Sequence, residues 1–450
     1  MPVAEHVLRH AAESPSRVAL RGPRGSLTYA ELAERVQGGA RHLRGRLQGR
    51  GALVAIALED PVELLAAVLA ADLAGVTPLV GDPGWSPERW ARVAAAAGAD
   101  LRVGEPLPCV PGAPPAPDPR PDDRAWACFT SGSTGRPRAV VRTRASWTRS
   151  FPHLCELTGI GPADVVLVPG PLVSSLYAFA AVHTLAVGAT ALVPGGRPAS
   201  AELRAATAIH LVPHRLPEVL EQAPGLRTAV VGGAALSPRA RDLAGRAGVR
   251  VVSYYGATEL SFVAFDADGG GMRPFPGVEI EVRAEPGRAL GEVWARSPWL
   301  AEGYLGGAKG PLRRDGQGWM TVGDLAEPYR AGQVLRVRGR GDGAIQTGGA
   351  TVVPEDVEAV LRKVPGVGDI VVIGSPHPSL GSVVTAVVEG ACPPPRALLE
   401  AVARGGLDVA QRPRRWYAVP ALPRTGSGKP ARGLVADRLA GGDPEIRRLV

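Results

Sequence analysis

At 450 residues, 45% hydrophobic and only 5% aromatic, the chain is long enough for two or three structural units with substantial cores. Its net charge of +8 comes from interspersed residues of both signs. That gives a basic surface suited to small anions and argues against nucleic acid, because no clustered basic stripe with interleaved aromatics exists. The four cysteines, Cys109, Cys128, Cys155 and Cys392, show no Cys-x-x-Cys or Cys/His ligand spacing. This disfavours a structural zinc or a disulfide framework and points to a reducing, cytoplasmic compartment.

The segment Met1–Ala12, with Glu5, His6 and Arg9, reads as an amphipathic start and not as a signal peptide. Tyr29–Leu47 reads as a helix with Leu32, Val36, Ala40 and Leu43 on one face. Leu53–Leu58 is a short apolar strand, Pro61–Ala74 a helix with Pro in its first turn, Val76–Val80 a strand, and Ser86–Ala97 a helix capped by Ser86. This alternation predicts a parallel sheet covered by helices. Eight prolines among the 18 residues Pro106–Asp123 predict an extended surface connection.

From Ala125 to Val263 a second alternating unit follows, with strands at Val165–Val168, Ala189–Val193, Ile209–Val212, Thr228–Val231 and Val249–Ser253. The most apolar run, Leu172–Val193, is interrupted by Ser174, Ser175, His183, Thr184 and Gly188. It reads as a buried helix and then a strand, not a membrane span. After Gly277 the pattern changes to short strands between Gly turns: Val278–Val282, Gly291–Arg296 and Gln333–Arg338. Beyond Arg340, strands at Ala344–Thr347, Asp369–Gly374, Val383–Val388 and Arg415–Val419 and helices at Pro354–Lys363 and Arg396–Ala403 predict a separate α+β domain.

Five segments carry the chemistry. The run Thr130-Ser131-Gly132-Ser133-Thr134-Gly135-Arg136-Pro137-Arg138 packs hydroxyls, glycines and two cations into one donor-rich loop suited to polyphosphate. Alone it reads equally well as a surface turn, and it lacks the Gly-Lys-Ser/Thr ending of a Walker loop. Tyr254-Tyr255-Gly256-Ala257-Thr258-Glu259 follows a strand. It offers a ring for a purine, a hydroxyl for phosphate and a carboxylate for Mg²⁺, or simply a strand end with a turn. Asp324, in Thr321-Val322-Gly323-Asp324, can accept two ribose hydroxyls, although an Asx turn explains it as well. Arg338-Gly339-Arg340-Gly341-Asp342 precedes Gly348-Gly349 and Pro354-Glu355-Asp356-Val357-Glu358, whose Pro and acids also suit a plain helix start. Last, Pro423-Arg424-Thr425-Gly426-Ser427-Gly428-Lys429 holds a lysine between glycines in a chain that otherwise uses arginine.

In this order and at these separations, the five segments resemble the acyl-adenylating, AMP-forming superfamily. Its members are acyl-CoA synthetases, adenylation domains of non-ribosomal peptide synthetases and beetle luciferases. The resemblance spans essentially the whole chain. It implies an α/β fold: residues 1–341 as a large N-terminal domain of two α/β lobes plus a small β subdomain, and residues 342–450 as a small mobile α+β domain, with the hinge at Asp342. It implies that Thr130, Ser131, Gly132, Ser133, Thr134, Gly135 and Arg138 close over the ATP phosphates. Gly232, Gly233 and Ala234 match the adenine-side loop, in front of Tyr254, Tyr255 and Gly256, with Tyr255 stacking on adenine. Thr258 would touch phosphate and Glu259 would hold Mg²⁺. Asp324 and Arg340 would hold the ribose, and Lys429 would bridge the acyl carboxylate and α-phosphate. Gly348 and Gly349 would line the thiol channel. Arg138 departs from the family's usual lysine, which changes the geometry of phosphate contact.

The implied activity is formation of acyl-AMP from ATP and a small carboxylic acid, then transfer to the thiol of CoA. An alternative acceptor is the phosphopantetheine of an acyl carrier protein. In the acyl pocket the resemblance sets Ser174, Ser175 and Tyr177. No Asp stands early in that segment, which disfavours an amino-acid substrate. The short length and the Gly-Gly…Pro-Glu-Asp-Val-Glu form resemble small acid–CoA ligases, among them o-succinylbenzoate–CoA ligases. A non-catalytic nucleotide-binding relic is opposed by Lys429, Glu259, Asp324 and Arg340, and a P-loop phosphotransferase by the missing Walker ending.

Overall fold

The computed structural model describes residues 3–47, 51–82, 84–112, 120–130, 138–285, 290–340, 343–347, 350–378, 380–425 and 428–449. Two compact units emerge. One comprises Met1–Thr130, Pro137–Ile280 and Ala295–Met320; the other holds Glu281–Trp294 and Thr321–Val450. The unit that contains Lys429 therefore also takes in Thr321–Arg340, upstream of the expected hinge.

In the first unit, local signals set the helices as the sequence predicts. The helix Tyr29–Arg46 starts with a reciprocal capping box between Thr28 and Glu31. Asp60 caps Pro61–Ala74, and Ser86 caps Pro87–Ala97; both helices end at a left-handed glycine, Gly75 and Gly98. They accompany a three-stranded sheet in which Leu53–Ile56 pairs in parallel with Thr77–Val80 and Leu101–Val103.

The larger sheet has nine strands. Its middle is parallel: Arg250–Ala257, Thr228–Gly232, Ala208–Leu211, Val165–Leu167, Thr190–Leu192 and Val18–Gly22 run side by side. Antiparallel strands close both edges, Gly25–Thr28 at one, Ser261–Asp266 and Arg273–Pro274 at the other. The parallel strands are buried, with Leu167, Ile209, Leu211, Ala229, Val231 and Val251 in one core. The run after Pro171 forms the buried helix Ser175–Ala186. Among the described residues no helix is long and apolar enough to cross a membrane.

The hairpin Val18–Thr28 and the strand Ser261–Asp266 were not predicted. The strand expected at Val249–Ser253 continues through Tyr254, Tyr255, Gly256 and Ala257, because the antiparallel partner Ser261–Asp266 prolongs its pairing.

The second unit holds the α+β fold predicted beyond Arg340. Gly381–Glu389 is central: it pairs antiparallel with Ile370–His377 and parallel with Arg415–Val419. The helices Pro354–Leu361 and Arg396–Gly406 place Val357, Leu361, Leu399 and Ala403 in its core with Ile370, Val372 and Trp416. A further helix, Arg432–Ala440, follows Lys429. The strand expected at Gln333–Arg338 is confined to Val337–Arg340, because a turn from Arg330 to Gln333 precedes it.

One buried ion pair ties together four segments of the first unit. Arg144, 2% exposed, donates from Nε to Asp72 Oδ1 (3.0 Å), from Nη2 to the Asp72 carbonyl (2.9 Å) and from Nη1 to Asp123 (2.9 Å). The other Asp72 oxygen accepts the Ala4 amide at 3.0 Å. Breaking one side of such a pair leaves an uncompensated buried charge. Arg144→Met should therefore destabilise the protein by about 3–5 kcal/mol in chemical denaturation. Adding Asp72→Leu should recover much of that loss.

Candidate active site

In the first unit, the predicted nucleotide loops gather at the carboxyl ends of neighbouring parallel strands, the place where α/β sheets bind ligands. Gly232 ends its strand in register with Tyr254. No side chain fits at Gly232, because a Cβ there would fall inside the Tyr254 ring. Gly233 has φ +88°, a left-handed turn that favours glycine. Ala234 follows, half-buried. Tyr254 packs edge-on against Phe262, with ring centroids 4.6 Å apart, and burial raises its phenol pKa. Tyr255 is half-buried on the next register position.

The turn carrying Thr258 and Glu259 is held in an unusual backbone. The pairing shifts by a bulge between Tyr255 and Gly256, and a Cβ at Gly256 would overlap the Ser261 carbonyl. Ser261 itself has φ +59°, rare for a residue with a side chain. Such strain persists only where surrounding structure imposes it, and it concentrates at functional sites. Two side-chain hydrogen bonds hold the turn between them. Ser175 Oγ and Thr258 Oγ1 share a hydrogen bond of 2.9 Å. The Tyr304 hydroxyl donates to Glu259 Oε1 at 2.8 Å, and Glu259 is only 2% exposed. The same hydroxyl accepts the Leu312 amide at 3.3 Å, while the Ala301 amide donates to the Glu259 carbonyl at 2.9 Å. Burial and the neighbouring Glu259 carboxylate hold the Tyr304 phenol well above its ordinary pKa, so it remains a donor.

The phosphate-loop segment joins this circuit through its two feet. Cys128–Thr130 and Arg138–Val141 are antiparallel strands with Thr130 opposite Arg138. Val140 and Val141 in turn pair with Tyr304 and Gly303. On the other side Phe129 bridges in parallel to Ser174, the N-cap of the helix that carries Ser175. Hence backbone pairing and two side-chain hydrogen bonds connect Thr130 and Arg138, Ser174 and Ser175, Thr258 and Glu259, and Tyr304. Ser131, Gly132, Ser133, Thr134 and Gly135 lie outside the described residues, and of Thr130 only the backbone is described. Tyr304 and the Ser175–Thr258 contact were missed from sequence. Gly303-Tyr304 carries no local chemical signal, and the serine and threonine are 83 residues apart.

Of the residues expected at the acyl pocket, Ser174 and Ser175 are half-buried and Tyr177 is buried. Tyr177 is 4% exposed, its ring lies where a Cβ of Gly170 would be, and burial pushes its phenol up to about 12. The neighbouring Gly170, Pro171 and Leu172 form one wall of a cavity of about 520 Å³ whose polar lining includes Arg215 and Glu218. Ser174, Ser175 and Tyr177 do not line that cavity.

In the second unit, Asp324 is buried and lies directly opposite Arg340 in an antiparallel pair, of which the Arg340 backbone alone is described. Lys429 sits on a hairpin: Arg424 pairs with Pro430, the Thr425 amide donates to the Lys429 carbonyl at 2.7 Å, and the Lys429 amide reaches Thr425 Oγ1 at 3.3 Å. Asp342, Gly348 and Gly349 lie outside the described residues.

A family model described as AMP-binding enzyme matches residues 7–113 and 104–305, and the AMP-binding enzyme C-terminal domain matches residues 356–429. The chain is 30% identical to an uncharacterised acyl–CoA ligase, YhfT, of Bacillus subtilis, over 96% of this chain and 97% of that one. It is 33% identical to a probable 2-succinylbenzoate–CoA ligase of Mycobacterium tuberculosis, over 71% of this chain and 86% of that one. Its fold is that of ATP-bound MatB from Rhodopseudomonas palustris, with a TM-score of 0.83 at 23% identity, covering 96% of this chain and 98% of that chain.

The Tyr254 ring makes the site intolerant of added volume. Gly232→Ala should cost about 1–3 kcal/mol of stability in urea denaturation, as overpacking of a filled site does. Trimming the ring with Tyr254→Leu should recover part of it.

Proposed function

Because the chain belongs to the AMP-binding, acyl-adenylating enzyme family, we propose that it activates a small carboxylic acid with ATP and passes the acyl group to the thiol of CoA in the cytoplasm. The observation that carries this reading is the end-to-end likeness to an acyl–CoA ligase of nearly the same length. In the first step an acid oxygen attacks the α-phosphorus of ATP, the bond to pyrophosphate breaks, and acyl-AMP forms. In the second, the thiol attacks the acyl carbon and AMP leaves. No enzyme nucleophile is required.

The first step brings anions together, so its barrier falls where preorganised donors and cations meet the growing charge. We assign Thr258 and the loop from Thr130 to Arg138 to the phosphates. Gly232, Gly233, Ala234 and Tyr255 take the adenine, Asp324 and Arg340 the ribose, and Lys429 the carboxylate and α-phosphate. Glu259 would hold Mg²⁺, which supplies neutralisation of phosphate charge when bound. The donor set fits. Among the described residues Tyr304 is the one side chain donating to that buried carboxylate, which leaves it acceptor capacity. No three His, Cys, Asp or Glu side chains among the described residues cluster as a cage, and Mg²⁺ is commonly bound by one or two carboxylates plus substrate phosphates. For the second step we assign the hinge to Asp342 and the thiol channel to Gly348 and Gly349, the mobile domain turning to withdraw Lys429.

Pyrophosphate release from ATP, measured across aliphatic, aromatic and amino acids with and without CoA, tests the reading. Release stimulated by one class of acid, with a CoA thioester seen by mass spectrometry, is expected. Release without a thioester would move the acceptor to a carrier protein, and no release with any acid would overturn the activity. Lys429→Ala should lower acyl-AMP formation by roughly a hundredfold or more while sparing thioester formation from supplied acyl-AMP. Equal loss of both steps would remove that role. Tyr304→Phe deletes one hydrogen bond to the assigned Mg²⁺ ligand. The Mg²⁺ concentration for half-maximal activity should rise roughly 2- to 10-fold, the range expected for a bond of about 0.5–1.5 kcal/mol.

A further inference from the structure

Both feet of the Lys429 hairpin end in arginines, and a chain of alternating charges links the two, so that only the hairpin backbone between them completes a ring. Arg424, five residues before Lys429, donates to Asp369 Oδ2 at 3.2 Å, to Glu389 Oε2 at 2.6 Å and to the Gly428 carbonyl at 3.3 Å. Arg432, three residues after it, donates from Nη1 to Glu355 Oε1 at 2.7 Å and from Nη2 to Glu358 Oε1 at 2.8 Å. Arg362 links them. Its Nε donates at 3.1 Å to the other oxygen of Asp369, which also accepts the Ile370 amide, and its Nη2 donates at 3.1 Å to the other oxygen of Glu358. Read around, the chain is Arg424, Asp369, Arg362, Glu358, Arg432.

The circuit is built into the domain core. Glu358 is 4% exposed, and the same oxygen that meets Arg432 also accepts the Val372 amide at 2.9 Å. Glu358 lies on the helix Pro354–Leu361, whose Val357 and Leu361 are fully buried. Asp369 immediately precedes the strand Ile370–His377, which pairs along its length with Gly381–Glu389. The hairpin therefore hangs from one helix and two strand ends, not from its own glycine-rich backbone.

We propose that this ring of charges is the positioning device for Lys429, with Arg362 and Asp369 as positioning residues that touch neither substrate nor the lysine. The proposal rests on the assignment of Lys429 to acyl-AMP formation. A flexible four-carbon side chain on a loop with Gly428 at φ +84° is effective only if its base is held to a fraction of an ångström. Two guanidinium anchors, each donating one bond to each of two carboxylates, supply that constraint, since two bonds from one planar fork fix direction as well as distance. Linking them through Arg362 makes the two feet move together. The lysine then travels with its domain as a rigid part.

The test separates the half-reactions. Arg362→Gln should lower kcat for acid-dependent pyrophosphate release roughly tenfold, the scale of a small misplacement, with KM for ATP and acid within about twofold. Thioester formation from supplied acyl-AMP should be unchanged, and Arg362→Lys should recover part of the loss. In a Lys429→Ala background, Arg362→Gln should cost nothing further, since both act through one group. Asp369→Asn cuts the ring at a second point and should give the same pattern, which guards against a folding defect peculiar to one variant. Unchanged pyrophosphate release in both variants would overturn the proposal. So would parallel loss of both half-reactions, or a full additional loss in the lysine-free background. Should Lys429→Ala itself leave acyl-AMP formation intact, the assignment of Lys429 fails, and the ring's positioning role falls with it.

Discussion

The hydrogen bond from Tyr304 to the buried Glu259 carboxylate is the constraint on which the first unit's site depends. A carboxylate at 2% exposure is costly unless donors meet it. Here the donor comes from a strand that also pairs with the foot of the phosphate loop. Satisfying the carboxylate thus fixes the distance between two loops that the chain otherwise leaves 121 residues or more apart in sequence, from Arg138 to Glu259. The positive φ of Ser261 and the excluded Cβ at Gly256 are the local cost of bending the backbone so that Thr258 and Glu259 face the strand ends. Glu259 keeps acceptor capacity beyond Tyr304. A carboxylate saturated by protein donors would have none to offer a cation.

The two units hold their key groups by different means. In the first, neutral side chains and backbone pairing do the fixing: Ser175 on Thr258, Tyr304 on Glu259, Phe129 on Ser174. In the second, charges do it, through the ring that anchors the Lys429 hairpin. The helix Pro354–Leu361 is the shared support. Its Glu355 and Glu358 take Arg432, while Asp356 takes Arg338 at 3.4 Å, on the strand that ends at Arg340. The position of Gly339, at φ +146° and with Val353 and the Glu355 carboxylate close to its Cβ position, favours glycine where that strand meets the helix. In this structure the lysine hairpin and the strand bearing Arg340 both meet that helix.

What was legible in the sequence follows the range of the signal. Helix caps at Thr28, Asp60 and Ser86 and the glycines that end two of those helices act over one turn, and those elements emerged close to their expected bounds. The order of short motifs sufficed to recognise the family. The strand through Tyr254 to Ala257 was read too short because its extension depends on pairing with Ser261–Asp266, a tertiary fact. Tyr304 was invisible for the same reason: its importance lies wholly in a carboxylate 45 residues away. The charge ring was hidden most deeply. Glu358 and Arg362 look like an ordinary i, i+4 surface pair, and nothing local says that Asp369 is shared with Arg424.

Lys309, Lys363 and Lys429 are the only lysines in the chain, against 51 basic residues in all. The bias toward arginine is general, and the role assigned to position 429 suits a lysine. Every member of the ring that must hold direction is an arginine bound in a fixed fork. The group assigned to reach a carboxylate and then withdraw is a lysine, whose compact ammonium needs no particular plane and leaves without unmaking a bidentate geometry. An arginine at 429 would carry the same charge but would bind phosphate in a planar, two-point mode that resists release. Rigid anchors of arginine around one mobile point charge combine precise placement with easy withdrawal, which a two-step reaction on one bound acyl group demands.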